Sequence, residues 1–322
     1  MPNILVCLEN DDGQLSESSF ELLAVARGLA DARGVQVEAL VTGPLAPGAL
    51  ATLGAADVVL HVDHAVLAAY LPEAQLRVVT QAVRERDPEA VLMSYSTFGM
   101  EMGPAVARQT GREVVSYCRR VEAQPDGFAA VSLLFGGRLE ASSIVPTGTI
   151  FALTPGAADA TAGRCAGSPA VKSLAQPPDL TGLRSAILKR HAPQRGNVDL
   201  TKAERIVCVG RGIGSKENLA VAESFAALIG AEIAGSRPVI DSGWLPRERQ
   251  VGKSGSRVAP KLYIALGVSG APEHLEGMSK SDCIIAINSD PAAPIFDTAH
   301  YGASADMFEV LAELVDALES GC

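Results

Sequence analysis

Short apolar runs, each followed by a helix-length segment, constrain this chain more than any other feature in it. Ile4-Leu5-Val6-Cys7-Leu8 opens the series. A run without polar alternation suits a strand covered on both faces. Residues 17–32 then place Phe20, Leu23, Ala24, Arg27 and Ala30 at helical spacing, with Arg33-Gly34 as the stop. Val35 to Val41 reads as the next strand, and Val58-Val59-Leu60, a helix near 72–86 and Ala90-Val91-Leu92-Met93 continue the alternation. Parallel neighbours need a crossover between them, so this rhythm predicts a mostly parallel α/β sheet.

From about residue 112 the rhythm changes. Val114 to Cys118, Ala129 to Phe135, Leu139 to Val145 and Thr149 to Leu153 are strand-like runs with glycine turns and no helix between them. They predict an antiparallel set added to the first sheet. Residues 155–199 are rich in Gly, Ala and Pro and read as a connecting arm, within which Leu183, Ile187 and Leu188 predict some packing. Arg205 to Val209 restarts the pattern, with Lys216 to Ile229 as its helix and Gly230 as the stop. The expectation is two α/β domains. Residues 1–199 form a mostly parallel sheet with added antiparallel strands and the arm, and residues 200–322 form a Rossmann-like, doubly wound domain.

Composition narrows the functions. The 322 residues carry a formal net charge of −10, so no surplus of Lys and Arg is available to neutralise phosphates, and nucleic acid is disfavoured as a partner. None of the six cysteines is paired as C-x-x-C, which argues against zinc or iron–sulfur and predicts reduced thiols in a cytoplasmic protein, with Cys322 exposed. No apolar stretch approaches membrane-spanning length and no signal pattern opens the chain, so a protein not embedded in a membrane is expected. His61-Val62-Asp63-His64 groups ligand-type residues without a third partner in view and reads as a solvated turn. No nucleophile elbow supports Ser-His-Asp chemistry.

Strand, then Gly210-x-Gly212-x-x-Ser215, then helix is close to the dinucleotide fingerprint, in which glycines bring backbone up to a pyrophosphate. Ser215 holds the third position, and Ser236-Arg237 stand where an NAD site presents a carboxylate. A 2′-phosphorylated dinucleotide, another nucleotide or flavin, and a structural turn all remain open on these residues. Between 236 and 306 the chain then spends many positions on Gly, Ser, Pro, Asn and single charges, which packing does not ask for.

Those stretches are "GRG" at 210–212, "SRPVIDSGWLP" at 236–246, "QVGKSG" at 250–255, "PKLYIALGVSGAPEH" at 260–274, "GM" at 277–278, "IIAIN" at 284–288, "APIF" at 293–296, and "YG" with Asp306. In order and spacing they resemble the FAD-binding domain of the alpha subunit of electron transfer flavoproteins. The first 200 residues are similar in pattern and length more than in motif. The resemblance implies FAD in this domain and a heterodimer with a beta subunit, where AMP is expected. It also implies electron carriage from flavin-dependent dehydrogenases to electron transfer flavoprotein-quinone oxidoreductase or a similar acceptor, without substrate chemistry of the chain's own. An electron-bifurcating relative, with NADH and a second FAD in the beta subunit, is the alternative.

Position by position, Arg211 resembles the arginine near the pyrophosphate, and Ser236 resembles a further FAD ligand. Arg237 resembles the arginine against the isoalloxazine ring, where a permanent cation favours the reduced forms. Val251, Gly252, Lys253 and Ser254 match the loop past the flavin edge, with the Ser254 hydroxyl toward N5 and Gly252 and Gly255 allowing close approach. Ser269, Gly270, Ala271, Pro272, Glu273 and His274 match the loop around the pyrimidine end and diphosphate. There His274 is implied to donate near N1 and the C2 carbonyl. Asn288, Asp306 and Met307 match positions toward the ribose and adenosine. Lys253 and Glu273 depart from the family's uncharged residues, and a mutual ion pair between them is one expectation.

Overall fold

The computed structural model describes residues 2–135, 137, 139–176, 178–189 and 199–320. The chain divides into two compact units, residues 1–190 and 191–322. The first begins with β1 (Asn3–Cys7), a small hairpin of β2 (Asn10–Asp11) and β3 (Gln14–Leu15), α1 (Glu17–Arg33), β4 (Gln36–Thr42), β5 (Val58–Val62), α2 (Pro72–Arg86), β6 (Ala90–Ser94) and α3 (Thr97–Thr110). It continues with β7 (Val114–Gln124), β8 (Gly127–Leu134), β9 (Leu139–Pro146), β10 (Thr149–Leu153), α4 (Ala160–Gly163) and β11 (Ala170–Lys172). Nine strands form one sheet in the order β11-β5-β4-β1-β6-β10-β7-β8-β9. Both faces of β1 are buried, as its unbroken apolar run requires. The Ser16 hydroxyl accepts from the Ser19 N–H to start α1, and Gly34 ends it at φ +69°.

Three features depart from the sequence expectations. β10 is not antiparallel: it runs parallel to both β6 and β7 and lies between them, and in the nine-stranded sheet, among the described residues, only β7–β8 and β8–β9 pair antiparallel. α3 went unpredicted because Gly99, Gly103 and Pro104 dilute its helical pattern. Packing accounts for Gly99, since a Cβ there would lie 1.9 Å from the Ser94 carbonyl oxygen. The loose arm is also more structural than its composition indicates. It contributes β11, parallel to β5, and Leu180 and Leu183 pack against the core, whereas Ile187 and Leu188 stay exposed.

The second unit contains β12 (Arg205–Val209), α5 (Leu219–Leu228), β13 (Glu232–Gly235), α6 (Arg237–Asp241), β14 (Leu262–Leu266), α7 (Pro272–Leu275), β15 (Ile284–Asn288), β16 (Tyr301–Ser304) and α8 (Met307–Glu319). Its five strands are all parallel, in the order β13-β12-β14-β15-β16. From β12 the chain moves to one side, then returns to place β14 on the other, which makes the β12/β14 boundary the topological switch point. One face of the sheet is covered by α5 and α8, through residues such as Phe225 and Leu311. The other face is covered by loops and the short α7, through Val251, Val258, Leu275, Met278 and Ile295. Among the described residues no helix is long and apolar enough to cross a membrane.

Candidate functional site

The glycine loop after β12 is not the fingerprint turn. A short turn at Arg211–Ile213 and the left-handed Gly214 separate the strand from α5, which starts at Leu219 instead of Lys216. The Asn218 amide donates to the Ile213 carbonyl at 2.8 Å and holds this detour. Gly210 and Gly212 serve packing against the loop after β14: a Cβ on Gly210 would lie 2.1 Å from the Gly267 carbonyl oxygen, and one on Gly212 2.9 Å from the Gly267 Cα. Gly267 itself sits at φ +63°, with Gly212 and the Met307 methyl against it. Two crossing loops are thus pressed together at the switch point, and this fixes where their side chains stand.

Above them lies a cavity of about 710 Å³, a size that suits a small-molecule cofactor. It is lined from the carboxyl ends of four strands: Arg211 after β12, Ser236 and Arg237 after β13, Ser269 and Ala271 after β14, Asn288 at the end of β15. The 250–254 loop supplies Gln250, Val251, Gly252, Lys253 and Ser254, and Glu273 and His274 come from α7. Gly270, Pro272, Asp306 and Met307 do not line it. Gly270 turns the chain at φ +84° against Ile295, and Pro272 starts α7. Asp306 caps α8, its carboxylate accepting the Phe308 N–H at 2.8 Å, while Met307 lies in the core behind the glycine loops. Sequence reasoning missed Gln250, Pro238, Gly267, Val268, Asp290, Ala293 and Pro294. All of these but Asp290 fall inside matched stretches, but nothing in their residue type marks them as wall.

The electrostatics of the wall differ from those of the whole chain. Arg211, Arg237 and Lys253 face Glu273 and Asp290, three cations against two carboxylates, in a protein of net charge −10. Arg237 is exposed and pairs with Asp241 on its own helix at 3.3 Å. Lys253 does not pair with the Glu273 carboxylate. Its backbone N–H donates to the Glu273 carbonyl at 2.7 Å, and its ammonium lies 3.6 Å from Glu276, which also binds Arg257. Asn288 is a clasp: its amide donates to the Val268 carbonyl and its oxygen accepts from the Asp290 N–H. Gly255 serves the turn itself, since a Cβ there would lie 2.4 Å from the Gln250 carbonyl oxygen.

His274 is buried, its Nε2 3.0 Å from the Tyr263 hydroxyl, and its Nδ1 is buried without a well-formed hydrogen bond among the described residues. Burial pushes its pKa down to about 4, against a smaller opposing effect of the Val251 backbone, so the ring is neutral at pH 7. Tyr263 is wholly buried and its hydroxyl is pushed well above the usual range, and burial raises the neighbouring Cys208 thiol to about 12. Neither ionises near neutrality.

Elsewhere, His61 Nε2 lies 2.9 Å from the Gly43 carbonyl oxygen and His64 Nδ1 accepts from the Val66 N–H. Cys7, Cys118 and Cys208 are buried free thiols, and Cys322 lies outside the described residues. Among the described residues no cluster of three His, Cys, Asp or Glu could hold a metal ion.

A crevice at the switch point of a parallel sheet is where folds of this class bind nucleotide cofactors, and comparison with known proteins narrows the class. Residues 199–279 match the electron transfer flavoprotein FAD-binding domain, and residues 4–179 match the electron transfer flavoprotein domain. The electron transfer flavoprotein subunit alpha of Mycobacterium leprae is 34% identical over 99% of this chain and 99% of its own. Protein FixB of Clostridium saccharobutylicum is 34% identical over 97% of this chain and 95% of its own. The acryloyl-CoA reductase electron transfer subunit beta of Anaerotignum propionicum is 33% identical over 99% and 96%. The chain belongs to the electron transfer flavoprotein family, as an alpha subunit with the family's FAD-binding domain matched at residues 199–279.

Proposed function

We propose that this chain, paired with a beta subunit, holds one FAD in the switch-point cavity and passes electrons between flavin-dependent dehydrogenases and a membrane quinone oxidoreductase or similar acceptor. On this reading it transforms no substrate itself. The observation that carries the proposal is the cavity: its volume, its position outside the carboxyl ends of a parallel sheet, and the presence of Arg211 on its wall all fit a flavin dinucleotide. The loop after β14 adds to the fit. The N–H groups of Ser269 and Ala271 donate to no backbone carbonyl among the described residues, and the Ser236 hydroxyl caps no helix N–H, so all remain free for a ligand.

FAD would supply a carrier that accepts one or two electrons. Arg211 would hold phosphate oxygens through its planar set of donors. Arg237 would bring a permanent cation to the ring, partly offset by Asp241. Ser254 would offer a hydroxyl to N5. His274, being neutral, would act through the dipole of its ring and not through a net charge.

Gly270, Pro272, Asp306 and Met307 would shape the loops around the site from outside the cavity. The relative named as an acryloyl-CoA reductase electron transfer subunit supports a second pairing, with an acyl-CoA reductase in place of a dehydrogenase. Co-purification with the beta subunit and release of bound flavin test the proposal. One FAD per heterodimer supports the carrier, two FAD indicate a bifurcating complex, and a colourless heterodimer after reconstitution defeats both.

A further inference from the structure

Gln250 lies at the cavity wall with a buried side chain, in a chain segment fixed at both ends. Its N–H donates to the Arg247 carbonyl at 3.0 Å, and its carbonyl accepts from Ser256 at 2.7 Å. The turn that follows is equally held, with Lys253 bound to the Glu273 carbonyl and Gly255 to that of Gly252. Across this turn the Gln250 amide donates from Nε2 to Ser254 Oγ at 2.8 Å.

We propose that Gln250 is a positioning residue that sets the polarity of Ser254, so that the hydroxyl offers its hydrogen, and not its lone pairs, to the ligand. The proposal rests on the FAD reading above. A serine hydroxyl has one hydrogen and two lone pairs. The amide N–H occupies a lone pair from the protein side, which leaves the hydrogen to be directed into the cavity that Ser254 lines. A rotor that would otherwise satisfy itself with water is biased toward donation. With its nitrogen held by Ser254, the Gln250 amide has its carbonyl oxygen left as an acceptor on a residue of the same wall. One edge of an isoalloxazine ring carries an N–H donor at N3 beside acceptors at the C4 carbonyl and N5, and a hydroxyl donor next to an amide acceptor complements that order. With the amide reversed, Ser254 would donate to Gln250 and present only lone pairs to a ring acceptor, a repulsive contact.

The test is a double-mutant cycle on the FAD-loaded heterodimer, with Gln250→Met and Ser254→Ala, read by FAD dissociation constant and first reduction potential. Gln250→Met is expected to weaken FAD by about 2- to 10-fold, the range of one hydrogen bond, and to lower the potential. In the Ser254→Ala background both effects should largely vanish, which a merely structural role would not produce. Gln250→Glu keeps the shape, but its carboxylate can only accept, so it captures the Ser254 hydrogen. It should lose at least as much affinity as Gln250→Met, and it replaces that variant in the cycle if the methionine protein fails to assemble. Equal effects in both backgrounds, or wild-type affinity and potential in either variant, overturn the assignment. A wild-type heterodimer that binds no flavin defeats the underlying reading instead.

Discussion

The two units carry sheets of the same kind, and their carboxyl ends are used in opposite ways. In the first, the switch point lies between β1 and β6, and side chains stitch it shut. Ser96 donates to the Glu9 carboxylate at 2.6 Å, the Asn10 amide donates to the Thr42 and Pro44 carbonyls, and Thr42 donates to Gln75. Burial raises the Glu9 pKa, with Ser96 and Ser94 opposing it. In the second, glycines let two loops cross low over the sheet, and the longer side chains stand around a cavity. Topology offers a crevice, but the bulk of the first residues after each strand decides whether it is filled. The faces differ as well. Helices cover both sides of the parallel part of the first sheet, whereas loops cover one side of the second, and those loops also build the cavity wall.

The comparison is broken most directly at its glycines. Gly267→Val is expected to cost about 2–5 kcal/mol, from a left-handed backbone and a collision with Gly212 and Met307, and to abolish FAD retention. Gly34→Ala, at a similar φ but in open space, should cost only about 1 kcal/mol. Chemical denaturation checks both, and equal losses would show that crossing loops are not what the second unit depends on.

Protonation separates the units next. Folding lowers the His274 pKa, so the unfolded chain takes up the proton first. The second unit is therefore most stable above about pH 6.5 and loses on the order of 3 kcal/mol as the pH falls toward 4. Glu9 works the other way: folding raises its pKa, so its contribution is present at low pH and is lost as the pH rises. Stability profiles of His274→Gln and Glu9→Gln should flatten in these opposite directions. An unchanged acid limb in His274→Gln would remove the histidine from this account.

Smaller effects sharpen the picture of the cavity's charges. Arg237→Ala should lower the first reduction potential of bound FAD by a few tens of millivolts, on the order of 1 kcal/mol for an exposed cation beside developing charge. Unaltered midpoint potentials in a redox titration would end that role. Lys253→Gln should shift the potential less than Arg237→Ala does, because each cation has a carboxylate beside it, Glu276 and Asp241, and the family resemblance puts Arg237 against the ring but Lys253 on the loop past its edge. A larger shift than that of Arg237→Ala would reverse the ranking.

The sequence by itself determined the local choices. Unbroken apolar runs such as Ile4 to Leu8 and Leu262 to Leu266 specify covered strands, and the spacing and Gly34 stop specify α1, because side-chain periodicity and capping act within a few residues. It also carried the family's loops, since Arg211, Ser254 and Ser269 sit in stretches that match the FAD-binding domain of the family.

The tertiary structure alone decided which segments meet. Nothing near Thr149 to Leu153 says that it enters between β6 and β7, nor does Ala170-Val171-Lys172 announce an edge strand, because strand partners are chosen by long-range pairing. Gly210 and Gly212 leave a nucleotide loop and a structural turn both open in the sequence, and the outcome depends on Gly267, more than fifty residues away in the chain. Met307 lies behind the wall while Gln250 forms part of it, although both fall in or beside the matched stretches. Local propensity fixes the elements, and only their packing assigns each side chain to core, clasp or cavity.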